Sequence, residues 1–346
     1  LMSPTMFSII LSNVAIGTII TMTSSHWLLA WIGLELNTLA IIPIIAKQHH
    51  PRATEATTKY FLTQAAASAV MLFASTMNAW ATGTWDISQL TNPPACSLLT
   101  LALSMKLGLA PLHFWLPEVL QGVPMNTALI IATWQKLAPI SLMFMVHNSI
   151  NPTIMLIMGV ISTLTGGWGG LNQTQTRKIM AYSSIAHLGW MAGILTLNQN
   201  ILLLTLFLYI IMTTSIFLVL KLTSSKTIKN LTTMWTTSPQ MVAPLMMLLM
   251  SLGGLPPLTG FMPKWLILQE LTTHNLAPIA TTMAISALLS LFFYLRLSYI
   301  TTLTLYPTTA KDTNKWRFQS KHKTNLTMVL TSLSLLLLPM TPMLYS

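Results

Sequence analysis

Long apolar segments alternate with short polar connections along the chain. Each segment approaches the ~20 residues that a helix needs to cross about 30 Å of hydrocarbon. The segments are too long and too uniformly apolar for the strands of a membrane barrel. They predict an all-α polytopic membrane protein with about eleven transmembrane helices. The predicted spans are 4–23, 26–46, 60–81, 96–119, 124–146, 151–171, 178–196, 200–221, 240–268, 275–297 and 325–345.

Composition agrees with a membrane protein. Hydrophobic residues make up 53% of the 346 residues and charged residues 7%, against about 25% charged in soluble domains. The formal charge of +11 does not indicate a nucleic-acid interface, because the basic residues form no basic face with interleaved aromatic side chains. The sequence has a single cysteine, Cys96. It can therefore form neither an internal disulfide nor the cluster of thiolates that binds an iron–sulfur centre or zinc. The pair His49–His50 has no third metal ligand nearby, so we expect no metal site.

Most basic residues follow a simple topological pattern. Fourteen of the 17 Lys and Arg residues follow even-numbered spans in the sequence. The positive-inside rule then predicts that the N-terminus and the even-numbered loops face the compartment of synthesis, and that the C-terminus faces the opposite side. The fourteen are Lys47, Arg52, Lys59, Arg177, Lys178, Lys221, Lys226, Lys229, Arg296, Lys311, Lys315, Arg317, Lys321 and Lys323.

Three lysines lie inside predicted spans: Lys106, Lys136 and Lys264. A lysine at the centre of a membrane helix costs about 2.5–3.5 kcal/mol on an insertion scale. Low-dielectric surroundings disfavour the charged form of such a group, which can then exchange its proton near neutral pH. We therefore predict that these lysines carry protons. The alternative is that each lies near a span end and extends to the headgroups.

Glu35 is the one carboxylate well inside a predicted span. A buried charge costs less when it is paired, which favours Lys106 as its partner. Glu35 could instead be protonated or cap a neighbouring helix. His113 and His187 lie in or near spans and could relay protons, since histidine titrates near neutral pH; the alternative is a hydrogen-bonded histidine in a packed core.

Prolines interrupt two spans. Pro111 and Pro117 lie in the fourth span, and Pro256, Pro257 and Pro263 in the ninth. Proline frees backbone carbonyls, which in lipid require water or polar neighbours, although a plain structural kink is the alternative. The stretches LGLAPLHFWLPE (107–118) and LGGLPPLTGFMPK (252–264) resemble each other. Paired interrupted spans indicate a transport site between inverted repeats, which we predict at 1–147 and 148–300, with a basic loop and last helix at 301–346 in one membrane domain.

Several motifs together resemble the antiporter-like subunits of respiratory complex I, in their vertebrate mitochondrial form. The resemblance covers nearly the whole chain, and its lysine–proline motifs are shared with multisubunit cation/proton antiporters. The motifs are SSHWLLAWIGLELN (24–37), SMKLGLAPLHFWLPE (104–118), TWQKLAP (133–139), GGLNQTQTRKIMAYSSIAHLGW (169–190) and SLGGLPPLTGFMPKW (251–265).

The resemblance implies a fold of two inverted five-helix repeats, each with a broken helix, and a trailing C-terminal helix. Bacterial members have fourteen helices, and this chain resembles the animal forms that lack the first three. The family's glutamate–lysine pair would be Glu35 and Lys106. Lys136 would be its central lysine and Lys264 its distal group, with His113 and His187 assisting the relay.

The resemblance also implies a function. The chain would be a proton-translocating core subunit that couples NADH-to-ubiquinone electron transfer elsewhere in the complex to proton pumping. It would lie in the mitochondrial inner membrane with its basic loops toward the matrix, beside another antiporter-like chain and phospholipids. NADH, FMN, iron–sulfur clusters and ubiquinone would bind other subunits, and the chain itself would bind no cofactor, metal or nucleic acid. A stand-alone cation/proton antiporter and a structural scaffold remain the alternatives.

Overall fold

The computed structural model describes residues 3–47, 50–302 and 325–342. Within these ranges the regular secondary structure is helical, apart from two isolated β-bridges, His26–Asp86 and Gln175–Thr227. This confirms the all-α polytopic class. In the described residues, seven helices are long and apolar enough to cross a membrane, so the predicted count of about eleven is not confirmed. The seven are Pro4–Thr23, Trp27–Ala46, Pro51–Thr82, Met125–Met145, Pro152–Leu171, Gln199–Leu222 and Ala277–Thr302.

The other four predicted spans take different forms. Two of them, 96–119 and 240–268, are each two shorter helices separated by a break. Span 178–196 is one helix with more polar residues, and span 325–345 begins as a short helix followed by a 3₁₀ turn. The helices are α1 (Pro4–Thr23), α2 (Trp27–Ala46), α3 (Pro51–Thr82), α4 (Pro93–Leu107), α5 (Trp115–Gly122), α6 (Met125–Ala132), α7 (Leu137–Met145), α8 (Pro152–Leu171), α9 (Thr176–Ile194), α10 (Gln199–Leu222), α11 (Ile228–Thr232), α12 (Met234–Thr237), α13 (Val242–Gly253), α14 (Phe261–Thr273), α15 (Ala277–Thr302) and α16 (Asn325–Leu336).

The start of α3 corrects the predicted boundary of the third span. The helix begins at Pro51, so Arg52 and Lys59 lie on a helix rather than in a connection. Proline favours the first helical position, and the Nδ1 atom of His50 accepts a hydrogen bond from the backbone N–H of Arg52 at 3.2 Å. The capped first turns are polar, so a search for apolar runs does not find them. His49 and the predicted loop cations from Lys311 to Lys323 lie outside the described residues.

The chain divides into two compact units. The first unit comprises residues 1–162 and 195–199. In it α2 packs between α1 and α3, α3 also contacts α4 and α5, and α7 contacts α1, α2 and α4. Gly17 lets α1 and α2 approach closely, because a Cβ atom there would lie 2.9 Å from the carbonyl oxygen of Gly33. Small residues of this kind allow backbone-to-backbone packing of membrane helices.

The second unit comprises residues 163–194 and 200–346. Helix α15 is its central packing element, since α9, α11, α13 and α14 all contact it, and α13 also contacts α16. The division into sequence repeats at residue 147 stays a prediction, as do the inverted orientation of the repeats and the side that each loop faces.

Candidate functional site

The first helix break places Lys106 at the end of a helix. Helix α4 stops at Leu107 because Gly108 adopts a left-handed conformation with φ of 81°, which favours glycine. Residues 108–114, named here the first break, include the cis peptide bond Ala110–Pro111. Lys106 lies in the last turn of α4, where the helix dipole favours a positive charge.

The ammonium group of Lys106 is buried. Only 5% of the residue is exposed, and the Nζ atom has no hydrogen-bond partner in the structure. A buried donor without a partner bears the cost of desolvation without compensation. Lys106 is therefore a buried amine without a compensating hydrogen bond, and its role in proton exchange stays a prediction.

Glu35 lies on α2 and is partly buried. Both Glu35 and Lys106 are described by the structure, and their charged atoms do not form an ion pair within 4.0 Å. The Oε2 atom of Glu35 is also buried without a hydrogen-bond partner. The predicted direct contact between Glu35 and Lys106 is therefore not formed in this structure.

Lys136 lies at an interruption of the span that the sequence predicts as continuous. Helix α6 ends at Ala132 and α7 begins at Leu137, with a 3₁₀ turn at Trp134–Lys136 between them. Pro139 has no N–H group to donate to the carbonyl of Gln135 four residues earlier, which explains the interruption. Only 4% of Lys136 is exposed. Short 3₁₀ segments inside a helix often mark functional hinges.

Lys106 and Lys136 line the same cavity, named here the first cavity. Its volume is about 10 Å³, which is close to the minimum for one water molecule. Neither Glu35 nor His113 lines this cavity. Its lining residues are Leu34, Asn37, Thr38, Tyr60, Gln64, Lys106, Leu107, Trp115, Leu116, Ile131, Gln135, Lys136 and Pro139.

His113 lies in the first break and is buried. Its Nδ1 atom has no hydrogen-bond partner, and its ring centroid lies 4.4 Å from that of Phe114. His113 is therefore a buried titratable group, as a relay residue would be. Among the described residues, no contact joins it to Lys106 or Lys136, and its relay role stays a prediction.

The second break has the same backbone form. Helix α13 stops at Gly253, before Gly254 with φ of 83°. Residues 254–260, named here the second break, include the cis peptide bond Pro256–Pro257. When Gly108 is aligned with Gly254 without gaps, Pro111 corresponds to Pro257, Pro117 to Pro263, Glu118 to Lys264 and Lys106 to Leu252. The sequence similarity of the two stretches is thus matched by their local structure.

Lys264 is bound by the helix end that precedes the second break. Its Nζ atom donates to the carbonyl oxygens of Gly253 at 2.7 Å and Leu252 at 3.3 Å. These carbonyls lie at the C-terminus of α13, where a cation is favoured. Gly254 makes the contact possible, because a Cβ atom there would lie 2.9 Å from the Cδ atom of Lys264.

Lys264 and His187 line a second cavity of about 20 Å³ in the second unit. The His187 ring lies 5.6 Å from that of Tyr209, centroid to centroid. The structure therefore brings the sequence-predicted groups into two sets, Lys106 with Lys136 and Lys264 with His187. A route from the first set to the second stays a prediction.

Comparison with known proteins identifies the family. Residues 24–290 match the family model described as NADH:quinone oxidoreductase/Mrp antiporter, TM, and residues 291–345 match NADH dehydrogenase subunit 2 C-terminus. NADH-ubiquinone oxidoreductase chain 2 of Tetraodon nigroviridis is 60% identical over 99% of this chain and 98% of its own length. The same-named chain of Varanus timorensis is 60% identical over 99% of each chain. The chain belongs to the NADH-ubiquinone oxidoreductase chain 2 family.

Solved structures support the fold of this family member. A chain of respiratory complex I from Thermus thermophilus is 27% identical, with a TM-score of 0.83 over 96% of this chain and 79% of that chain. A chain of the Mrp complex from Dietzia sp. DQ12-45-1b has a TM-score of 0.85 over 97% of this chain and 75% of that chain. The latter is 15% identical and shows the fold alone.

Sequence reasoning about this chain 2 family member missed five polar residues that line the first cavity: Asn37, Thr38, Tyr60, Gln64 and Gln135. Gln64 donates from Nε2 to the carbonyl oxygen of Lys106 at 3.5 Å. The signal was present in the sequence, since amides inside apolar spans are costly unless they are hydrogen-bonded. Tyr60 and Gln64 are also four residues apart and therefore lie on one face of α3.

Proposed function

We propose that this chain is a proton-translocating, antiporter-like core subunit of respiratory complex I. The observation that carries the proposal is the first cavity, which is lined by both Lys106 and Lys136, two lysines that are buried in the protein. Membership of the chain 2 family and the antiporter family-model match support the same function. Electron transfer from NADH to ubiquinone would occur on other subunits and drive proton movement in this one.

The proposed mechanism uses charge rather than redox chemistry. When Glu35 and Lys106 approach, the carboxylate stabilises the protonated ammonium. When they separate, the positive charge of Lys106 acts instead on Lys136. Like charges disfavour each other's protonated forms, so Lys136 releases its proton toward Lys264, with His113 and His187 assisting. The signal that moves Glu35 from Lys106 would come from neighbouring subunits.

The proposal extends to setting and partners. We place the chain in the mitochondrial inner membrane as a multi-pass subunit, with its N-terminus and basic loops toward the matrix. Its partners would be other membrane-arm subunits, including a neighbouring antiporter-like chain, and phospholipids. It would bind no NADH, FMN, iron–sulfur cluster, ubiquinone or metal itself. Seven long apolar helices support the multi-pass placement.

The decisive variant is Lys136→Met in the complete complex reconstituted in liposomes. Methionine keeps the length and apolar stem of the side chain but removes the titratable group. Loss of a proton-transfer group slows its step by about 10²-fold or more, so NADH-driven proton translocation falls while assembly persists. Lys229→Met serves as the matched control, because Lys229 is exposed. Translocation at the wild-type rate in an assembled Lys136→Met complex would contradict the proposal and favour a scaffold.

A further inference from the structure

Three residues of the first cavity form a continuous hydrogen-bonded chain. The hydroxyl of Tyr60 donates to Oε1 of Gln135 at 3.3 Å, and Nε2 of Gln135 donates to Oδ1 of Asn37 at 2.6 Å. The chain, named here the amide chain, joins α3, the 3₁₀ turn and α2. It therefore connects the turn that carries Lys136 to two helices that are remote from it in sequence.

Both ends of the amide chain are buried. Tyr60 and Asn37 are each 1% exposed, and Gln135 between them is partly buried. Burying polar groups in this way is unfavourable unless each is hydrogen-bonded, and removing one partner costs about 1–3 kcal/mol. Because both ends of the Gln135 amide are engaged, the side chain has one preferred orientation. The backbone of the adjacent Lys136 is restrained with it.

The amide chain is also connected to the helix end that carries Lys106. Gln64 lies one turn from Tyr60 on α3, and its Nε2 atom donates to the carbonyl oxygen of Lys106 at 3.5 Å. Asn37 is two residues from Glu35 on α2, so a movement of α2 that changes the Glu35 position also moves the end of the amide chain. Hydrogen bonds thus connect the helix end that carries Lys106 to the 3₁₀ turn that carries Lys136.

We propose that Tyr60, Gln135 and Asn37 are positioning residues that hold Lys136 at the distance from Lys106 at which the two lysines sense each other's charge. The inference rests on the proposed function and deepens it. The interaction between two charges varies inversely with their separation, and a misplacement of about 1 Å at a transferring group can cost about 10²-fold in rate. None of the three residues needs to gain or lose a proton in this role.

Tyr60→Phe is the cleanest test in the complete complex in liposomes. It removes one hydroxyl and keeps the ring, which packs against Trp115 with centroids 5.8 Å apart. We expect normal assembly, about tenfold slower NADH-driven proton translocation, and a shifted pH profile of turnover. Gln135→Leu, which removes both the donor and the acceptor of the Gln135 amide, should show the same change more strongly.

Asn78→Leu is the matched control. Asn78 is a buried amide of α3 that donates to the carbonyl oxygen of Gln89 at 2.9 Å and does not line the first cavity. Assembled Asn78→Leu complex should pump with the wild-type pH profile. If it instead changes as Gln135→Leu does, the effect is general destabilisation and the inference is wrong.

The remaining outcomes separate this inference from the proposed function. Wild-type translocation and pH profile in Tyr60→Phe and Gln135→Leu, together with loss in Lys136→Met, overturn the positioning role alone. Retained translocation in Lys136→Met overturns the proposed function itself. Where Gln135→Leu does not assemble, the Tyr60→Phe result decides.

Discussion

The two helix breaks share a backbone form but hold their lysines differently. At the second break, Lys264 donates to two carbonyls at the end of α13. At the first break, the corresponding helix end is capped by a neutral group, since Nε1 of Trp115 donates to the carbonyl oxygen of Met105 at 3.1 Å. Lys106 has no hydrogen-bond partner for its Nζ atom.

This difference shows that local backbone structure does not determine the state of a buried charge. Lys264 is stabilised by a helix end and by direct hydrogen bonds. Lys106 has no such hydrogen bonds, and in the proposed mechanism its charge is stabilised by Glu35 on another helix. A lysine held by a neighbouring carboxylate responds when that carboxylate moves, whereas a lysine held by backbone carbonyls of its own unit is less sensitive. The first break is thus the responsive one.

The largest effect is expected from Gly260→Ala. A Cβ atom at Gly260 would lie 1.7 Å from the backbone carbonyl oxygen of Ser251, so α13 and the second break must separate. We expect a loss of stability of about 3 kcal/mol or more, measured as the temperature at which the chain leaves the purified complex. Phe114→Ala at the corresponding position is the control, because Phe114 is 70% exposed. Equal tolerance of both variants would show that the two breaks do not differ in packing.

The comparison of Lys264→Met with Lys106→Met tests directly how the two lysines are held. Its expected effect on stability is smaller than that of Gly260→Ala. Lys264→Met removes the donor from two carbonyls and should cost about 1–2 kcal/mol. Lys106→Met removes a buried ammonium without a hydrogen-bond partner and should be neutral or stabilising. Both variants should lose proton translocation. The measurement is heat-induced dissociation beside proton flux, and equal destabilisation by the two variants would refute the difference in how the lysines are held.

The smallest effect is expected from Lys59→Gln. Lys59 pairs with Glu118 at 2.5 Å, and both side chains are half exposed. Glu118 corresponds to Lys264 in the gap-free alignment, each on the helix that follows its break. Exposed ion pairs contribute little and are screened at about 0.15 M salt, so dissociation temperature and proton flux should match the wild type. A clear loss of flux would mean that Glu118 shares in the proton route, as Lys264 does in the proposal.

Much of the fold could be predicted because membrane helices leave a strong sequence signal. The first predicted span agrees with α1 at both ends, and the second with α2 to within a residue at its start. Prolines and glycines correctly indicated two interrupted spans. The start of α3 was missed because Arg52 and Lys59 make its first turns polar without ending the helix.

The charged residues of the candidate site could be predicted from the sequence, but their arrangement in space could not. A lysine inside an apolar span is visible from the sequence, so the burial of Lys106 and Lys136 could be predicted, while the roles of these lysines and of Lys264 in proton transfer stay predictions. The 3₁₀ turn at Lys136 was missed, although Pro139 is its signal. The amide chain was missed because Tyr60 and Asn37 meet Gln135 only through tertiary packing, which no local pattern encodes.

The grip of Lys264 on the end of α13 has a mechanical consequence. Its ammonium group connects α14 to the end of α13 across the interruption of the span. The strength of this connection depends on the hydrogens that the Nζ atom donates. In the proposed function, a proton that arrives at or leaves Lys264 would change the strength of this contact between α13 and α14. Proton transfer at Lys264 would then be coupled to the flexibility of the interrupted span.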